Sequence, residues 1–263
     1  MSLIKRTSII ALAVTCIICV MPAQGRAGTF IVGAKTWTAM WDSWMGQNME
    51  ATAGGEAELG IGIMAGPVLG YQTDEGTWSV SAAIMALSYF KQKMEVPDGG
   101  GGTVNMDADC RRMDFDFAVN YAFLTYFKVF AGYKLQTYKT EYTMTGLGAG
   151  TYTMKMMGHI PTVGLAAVYP LTDSLIAGIQ AGFLYAVLDD LKLEAPGQPD
   201  DSMNMKNGLG FNAEIGLNYI LMENVMIQGG FRYQQVQVVP DQPNPPKSSD
   251  RFFGITLGAV YMI

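Results

Sequence analysis

The sequence predicts an all-β protein: a transmembrane antiparallel up-and-down β-barrel of about ten strands. Three observations lead there. Alternating segments recur along the chain, and five of them close on a tyrosine. Only 15% of the 263 residues are charged while 49% are apolar and 31 are glycine, a balance that suits a chain whose solvent is partly lipid. Beyond the N-terminus no run of 18 apolar residues could cross a membrane as a helix, so a chain in lipid must close into a barrel.

The N-terminus comes first. Lys5 and Arg6 precede a weakly polar to apolar run from Ile9 to Val20, and Pro22 to Ala27 supplies small residues. This is the layout of a secretory signal peptide, short of the roughly 20 residues that a membrane-spanning helix needs. Cleavage is placed after Ala27, with Gly25 as the alternative, giving a signal peptide (1–27) and a barrel (28–263). Cys16 and Cys19 follow Val-Thr and Ile-Ile, neither of which has the form of a lipoprotein signal. The remaining 236 residues carry 14 basic and 23 acidic side chains, a net charge of −9. No basic stripe is present to neutralise phosphates, so a nucleic-acid partner is not expected. Cys110 is then the one thiol; no disulfide framework is available, and with no activating motif around it the thiol reads as inert.

The strands follow from a repeat. Pro67-Val-Leu-Gly-Tyr71, Phe117-Ala-Val-Asn-Tyr121, Leu165-Ala-Ala-Val-Tyr169, Ile215-Gly-Leu-Asn-Tyr219 and Leu257-Gly-Ala-Val-Tyr261 end alike. Tight connections follow the first four, at 72–76, 122–126, 170–174 and 220–224, and each leads into another alternating segment, the pattern of a repeated hairpin. Counting back in twos from each tyrosine meets only apolar residues, such as Leu59, Ile61, Ile63, Ala65, Pro67 and Leu69; the residues between are mostly small or polar. The returning strands agree, with Trp78, Val80, Ala82 and Ile84 outward in the first of them. A first strand at about Thr29 to Met40 puts Phe30, Val32 and Ala34 outward, and a last one runs from Arg251 to Ile263. A soluble sandwich shares the period of two. The tyrosines Tyr71, Tyr121, Tyr169, Tyr219 and Tyr261, at one end of five strands, distinguish the barrel, because they form the aromatic girdle expected at a headgroup level. Long connections are expected at 42–57, 96–109, 141–157, 189–207 and 240–250. An even strand number puts both termini on the side of the short turns, which in such barrels is periplasmic, with the long loops extracellular.

Signal peptide, Tyr-ended hairpins and C-terminal strand together resemble the small bacterial outer-membrane β-barrel proteins, the porin-like group that includes OmpX-type and OmpW-type barrels. The resemblance is architectural and covers residues 28–263; Ile263 stands where an aromatic residue is usual. It implies a place in the outer membrane among lipid and lipopolysaccharide, and recognition of the C-terminal strand by the insertion machinery.

Fold alone does not fix function. The lumen is expected to hold Lys35, Arg112, Lys128, Lys134 and Arg232 against Asp114, Asp116 and Glu214. Such charges either pair and fill the barrel or line a narrow path for ions or small solutes. Ten strands are too few for a wide aqueous channel. The loops are acidic: Asp42, Glu50 and Glu56; Asp98, Asp107 and Asp109; and five acids against Lys192 and Lys206 in 189–207. A rim of this kind either repels its neighbours or holds divalent cations that bridge to lipopolysaccharide. The single imidazole, His159, lies within reach of Asp189 or Asp190 but lacks an Asp-x-His spacing, so no catalytic site is expected. Met154, Met156, Met157 and His159, with Met203 and Met205, offer soft ligands for copper(I). Methionine is frequent throughout this chain, so neither metal nor cofactor is expected. The leading expectation is a structural barrel or narrow channel; the alternatives are a surface interaction protein, a rim enzyme using His159, and a soluble secreted barrel.

Overall fold

The computed structural model describes residues 28–98, 101–145, 150–195, 197, 199–241 and 248–263; the expected signal peptide lies outside the described residues. Ten strands form the wall: β1 (Thr29–Asp42), β2 (Gly60–Gln72), β3 in two pieces (Trp78–Met85 and Leu87–Pro97), β4 (Thr103–Ala122), β5 (Phe127–Thr145), β6 (Gly150–Pro170), β7 (Leu175–Leu188), β8 (Gly208–Met222), β9 (Val225–Pro240) and β10 (Ser248–Met262). Each pairs antiparallel with its neighbours in the chain, and β1 pairs with β10 from Ile31↔Met262 to Asp42↔Arg251, closing the sheet. The helix α1 (Trp44–Ala53) follows β1.

The outer face of the lower wall is apolar and faces no protein. Ile61, Leu165 and Ile215 are 64%, 61% and 58% exposed, an arrangement that only an apolar solvent favours. At the short-turn end, aromatic rings pair across adjacent strands: Phe30 with Tyr71 (centroids 4.9 Å apart), Trp78 with Tyr121 (4.7 Å) and Tyr126 with Tyr169 (5.2 Å). Tyr219 and Tyr261 face outward at the same end.

The strands run further than the alternation indicates. β4, β5 and β6 have 20, 19 and 21 residues, about twice the 9–11 that cross a bilayer. Much of 96–109 and 141–157, expected as loops, therefore continues the wall above the membrane, and β9 and β10 take both ends of 240–250. The cause lies in the change of solvent. Once the outer face meets water, it carries Lys93, Asp107, Asp109, Lys139 and Glu141, all exposed, while the inner face stays apolar, so the lipid-facing pattern vanishes although the pairing does not. The connection 189–207 keeps short ribbon segments, Leu191–Glu194 paired to β6 and Met205–Lys206 paired to β9.

One irregularity shapes the interior. On β3 the pairing with β2 shifts by one residue between Val68↔Ala83 and Ala65↔Leu87, and the faces swap there: Ile84 points outward and Met85 inward, then Leu87 outward and Ser88 inward. This is a β-bulge around Ala86. The Ser88 hydroxyl replaces the missing ladder bonds, accepting from the Arg112 amide (2.6 Å) and donating to the Arg112 carbonyl. The bulge presses β3 against β2 at Gly66, where an added Cβ would lie 1.6 Å from the Ile84 carbonyl oxygen. Only glycine fits that approach.

Gly66→Val is therefore expected to destabilise the folded barrel by about 1–3 kcal/mol, read as a lower urea midpoint for the heat-modifiable gel shift. Gly229→Val should leave the midpoint unchanged, because its Cβ would point outward and come no nearer than 3.6 Å to Leu257.

Candidate functional site

The lumen gathers most of the buried polar chemistry. Its middle level is a charge network on five strands. Arg112 grips Asp114 with two bonds, Nε to Oδ1 at 2.7 Å and Nη2 to Oδ2 at 2.6 Å. Asp114 also accepts from Lys134 (3.3 Å) and Gln136 (3.3 Å). Lys134 continues to Asp116, and Asp116 is reached by Arg232 at 3.3 Å. β4 and β9 stand five places apart in a ring of ten, so the Arg232–Asp116 bond is a strut across the lumen. Lys35 on β1 similarly reaches Glu214 on β8 at 2.6 Å, and Glu214 accepts from Gln180 and Thr256 as well.

The two-residue period accounts for this convergence. Asp114 and Asp116 are two apart on β4, and their cross-strand partners are Gln136 and Lys134 on β5; Glu214 and Arg232 are directly opposite on β8 and β9. Seven of the eight expected lumen residues thus meet in two connected groups. Lys128 is also inward but lies nearer the short-turn end, and it makes no ion pair among the described residues.

Above this level the lumen is filled. Arg112 stacks on Phe252 (4.0 Å from cation to ring centre), with Tyr138 and Trp37 beside it, and Arg232 sits over Trp37 at 4.8 Å. Trp41 stacks on Phe252 and meets Phe90 edge-on; Met64, Met85 and Cys110 complete this buried cluster. A second cluster, from Met154, Met156, Ile160 and Leu184 to Val236 and Val238, fills the outer end. The helix α1 lies on top. Ser43 caps its N-terminus by accepting from the Gly46 amide (3.0 Å), and Gly54 ends it in the left-handed region (φ 67°). Asp250 anchors it, accepting from the Trp44 amide and the Trp41 indole, both at 3.2 Å; Gln47 bonds both ways with the Ser249 backbone. This interior plug is what sequence reasoning missed. The signal available was the inward row Trp37, Ala39, Trp41 on β1, too bulky and apolar for a water-filled passage.

The other candidates separate. Met154 and Met156 point inward while Met157 and His159 point outward, so alternate residues of β6 cannot converge on one copper ion. Met203 and Met205 pack on the same outer apolar cluster as Met154 and Met156, on the inner side of the wall, away from Met157 and His159. The His159 Nδ1 bonds the Tyr133 hydroxyl, and its Nε2 is buried without a hydrogen-bond partner. Among the described residues no group of three or more His, Cys, Asp or Glu side chains is placed to hold a metal ion.

A closed antiparallel barrel with an apolar outer band and aromatic pairs at one end is the architecture of bacterial outer-membrane proteins, and this chain has the fold of an outer-membrane β-barrel. Among solved structures it is similar to the outer-membrane protease OmpT from Escherichia coli, with a TM-score of 0.54 and 11% identity over 92% of this chain and 99% of that one. It also matches the translocator domain of the autotransporter NalP from Neisseria meningitidis (TM-score 0.49, 10% identity, 97% and 95% covered). A third match is the outer-membrane protein OprG from Pseudomonas aeruginosa (TM-score 0.44, 14% identity, 90% and 97% covered). No protein-family model and no curated protein matches the sequence. At such identities the likeness is one of fold.

Arg112 is 1% exposed and its removal strands Asp114 in a closed interior. Arg112→Ala is expected to cost about 3–5 kcal/mol of folding stability, measured by urea titration of the gel shift. Lys128→Ala, which breaks no ion pair among the described residues, should cost less than 1 kcal/mol by the same assay.

Proposed function

We propose that the protein is a structural outer-membrane barrel that is occluded rather than conducting, and that its outer wall is the working surface. The observation that carries this reading is the filled lumen: struts from Arg232 to Asp116 and from Lys35 to Glu214, then the aromatic cluster, then α1. Ions following the axis would have to displace several interlocked groups, each paired or packed against another. The charge network is accordingly read as filling and bracing the barrel.

The rest of the proposal follows the same architecture. Residues 1–27 direct export and are removed. Tyr71, Tyr121, Tyr169, Tyr219 and Tyr261 form the periplasmic aromatic girdle, where an amphipathic ring has one face in hydrocarbon and its hydroxyl in water. The C-terminal strand β10 is offered to the insertion machinery, and lipid and lipopolysaccharide surround the finished barrel. No enzymatic role is proposed. The one imidazole is turned outward and tied to a tyrosine hydroxyl, and no serine, threonine or cysteine among the described residues is hydrogen-bonded to it. The tall wall of β4, β5 and β6 supports a surface role, since a barrel serving only to span the membrane would not need strands of twice the spanning length.

Refolded protein (28–263) in planar bilayers is expected to stay silent, with no discrete conductance steps, after the gel shift has shown it folded and flotation has shown it inserted. Reproducible steps in the unmodified protein would replace the occluded reading with the narrow channel.

A further inference from the structure

The outer face of the wall carries a row of cations that neither the lumen nor the fold requires. Arg111 on β4 is directly opposite Lys139 on β5, Lys139 is opposite Lys155 on β6, and Lys155 is opposite Lys192 in the ribbon that follows β7. Four like charges abreast on neighbouring strands repel one another. Only two are compensated: Lys139 pairs with Glu141 and Lys155 with Glu194, each at 2.5 Å. The Lys139 bond holds the Glu141 carboxyl below its ordinary pKa. Arg111 and Lys192 make no ion pair among the described residues.

The level of this row is informative. Arg111 lies ten residues from Tyr121 on the same strand. At about 3.3 Å per residue and a tilt of about 40°, that is roughly 25 Å along the barrel axis, the height of an apolar band. The Arg111 end of the row therefore stands where the outer leaflet gives way to its headgroups, and the strand tilt carries the row higher toward Lys155, which lies fourteen residues from Tyr169. The next outward row toward the membrane is Met113, Thr137 and Met157, again directly opposite one another. Between the rows runs a groove of about 420 Å³, lined by the four cations together with Met113 and Met157. The bulge residues Ala86 and Ser88 bound one end of it, and Asp189 and Asp190 stand at the other, which leaves the Arg111–Lys139 end the more cationic.

We propose that this groove binds the phosphorylated headgroup of an anionic glycolipid of the outer leaflet. Arg111 and Lys139 hold a phosphate, Lys155 assists from above, and the acyl chains descend past Met113. A guanidinium offers paired donors that match phosphate oxygens, and an ammonium adds a mobile point charge. The apolar edge on the membrane side and the cationic edge on the water side match an amphiphile in its bilayer orientation. The site is independent of whether the lumen conducts.

The test uses refolded barrel in neutral detergent and native mass spectrometry. The probes are bis-phosphorylated lipid A, its dephosphorylated form, and inorganic pyrophosphate. Wild type is expected to retain lipid A, and the double variant R111Q/K139Q to retain it at least tenfold less. The control K91Q/K93Q, which removes outward cations on β3, should match wild type, and all three should show the same gel shift. Equal retention by R111Q/K139Q and wild type would overturn the proposal. So would equal retention of the dephosphorylated lipid, which would mean an unspecific apolar annulus, and so would pyrophosphate binding as tightly as lipid A, which would mean an anion site without a lipid.

Discussion

Lipid offers no hydrogen bonds, and that constraint organises this molecule. Every amide and carbonyl at membrane depth must find its partner on a neighbouring strand, so the sheet has to return on itself, as β1 and β10 do from Ile31↔Met262 to Asp42↔Arg251. Closure then fixes the rest. It gives each strand one face toward hydrocarbon and one toward an enclosed interior, and the two-residue period assigns every side chain to one or the other. The bulge at Ala86 is the one place where β3 changes that assignment, and the Ser88 hydroxyl supplies there the bonds that the ladder omits.

The interior meets a second constraint. Ten strands enclose too little room for bulk water along the whole axis, so charges placed there need protein partners. Arg112, Asp114, Asp116, Lys134 and Arg232 supply one another, and the aromatic faces of Trp37 and Phe252 receive the two guanidinium groups. This ties strands on opposite sides of the ring and seals the level at which it occurs. Toward the outer end the same inward positions carry methionine, leucine and valine, and α1 covers them. The polar interior near the short turns, including Gln180 and Lys128, is left below the seal.

How much of this was legible in the sequence depended on which solvent each residue meets. Where a strand passes through lipid, the outward row is uniformly apolar, so Leu59 to Leu69 or Leu165 to Tyr169 could be read directly, and with them the strand number and the inward faces. Lys35, Arg112, Asp114, Asp116, Lys134, Glu214 and Arg232 were legible for the same reason, as charges falling on the inward parity. Their pairing was not, because Arg232–Asp116 and Lys35–Glu214 join residues 116 and 179 positions apart. Above the membrane the outward row becomes polar, and the strand signal at 103–109, 141–145 and 150–157 was lost although the ladder continues. The cation row was invisible, since Arg111, Lys139, Lys155 and Lys192 align only through the register of three pairings. The plug was signalled by Trp37 and Trp41 alone.

The closed interior can be tested with the thiol the chain already carries. Cys110 points into the lumen of the outer half, is fully buried, and packs among Trp37, Trp41, Phe90 and Phe252. Refolded protein (28–263) treated with a bulky, membrane-impermeant maleimide is predicted to stay unlabelled while folded and to label fully in urea, by mass. Rapid labelling of the folded barrel would mean an open passage at that level, and would contradict the account of an occluded barrel.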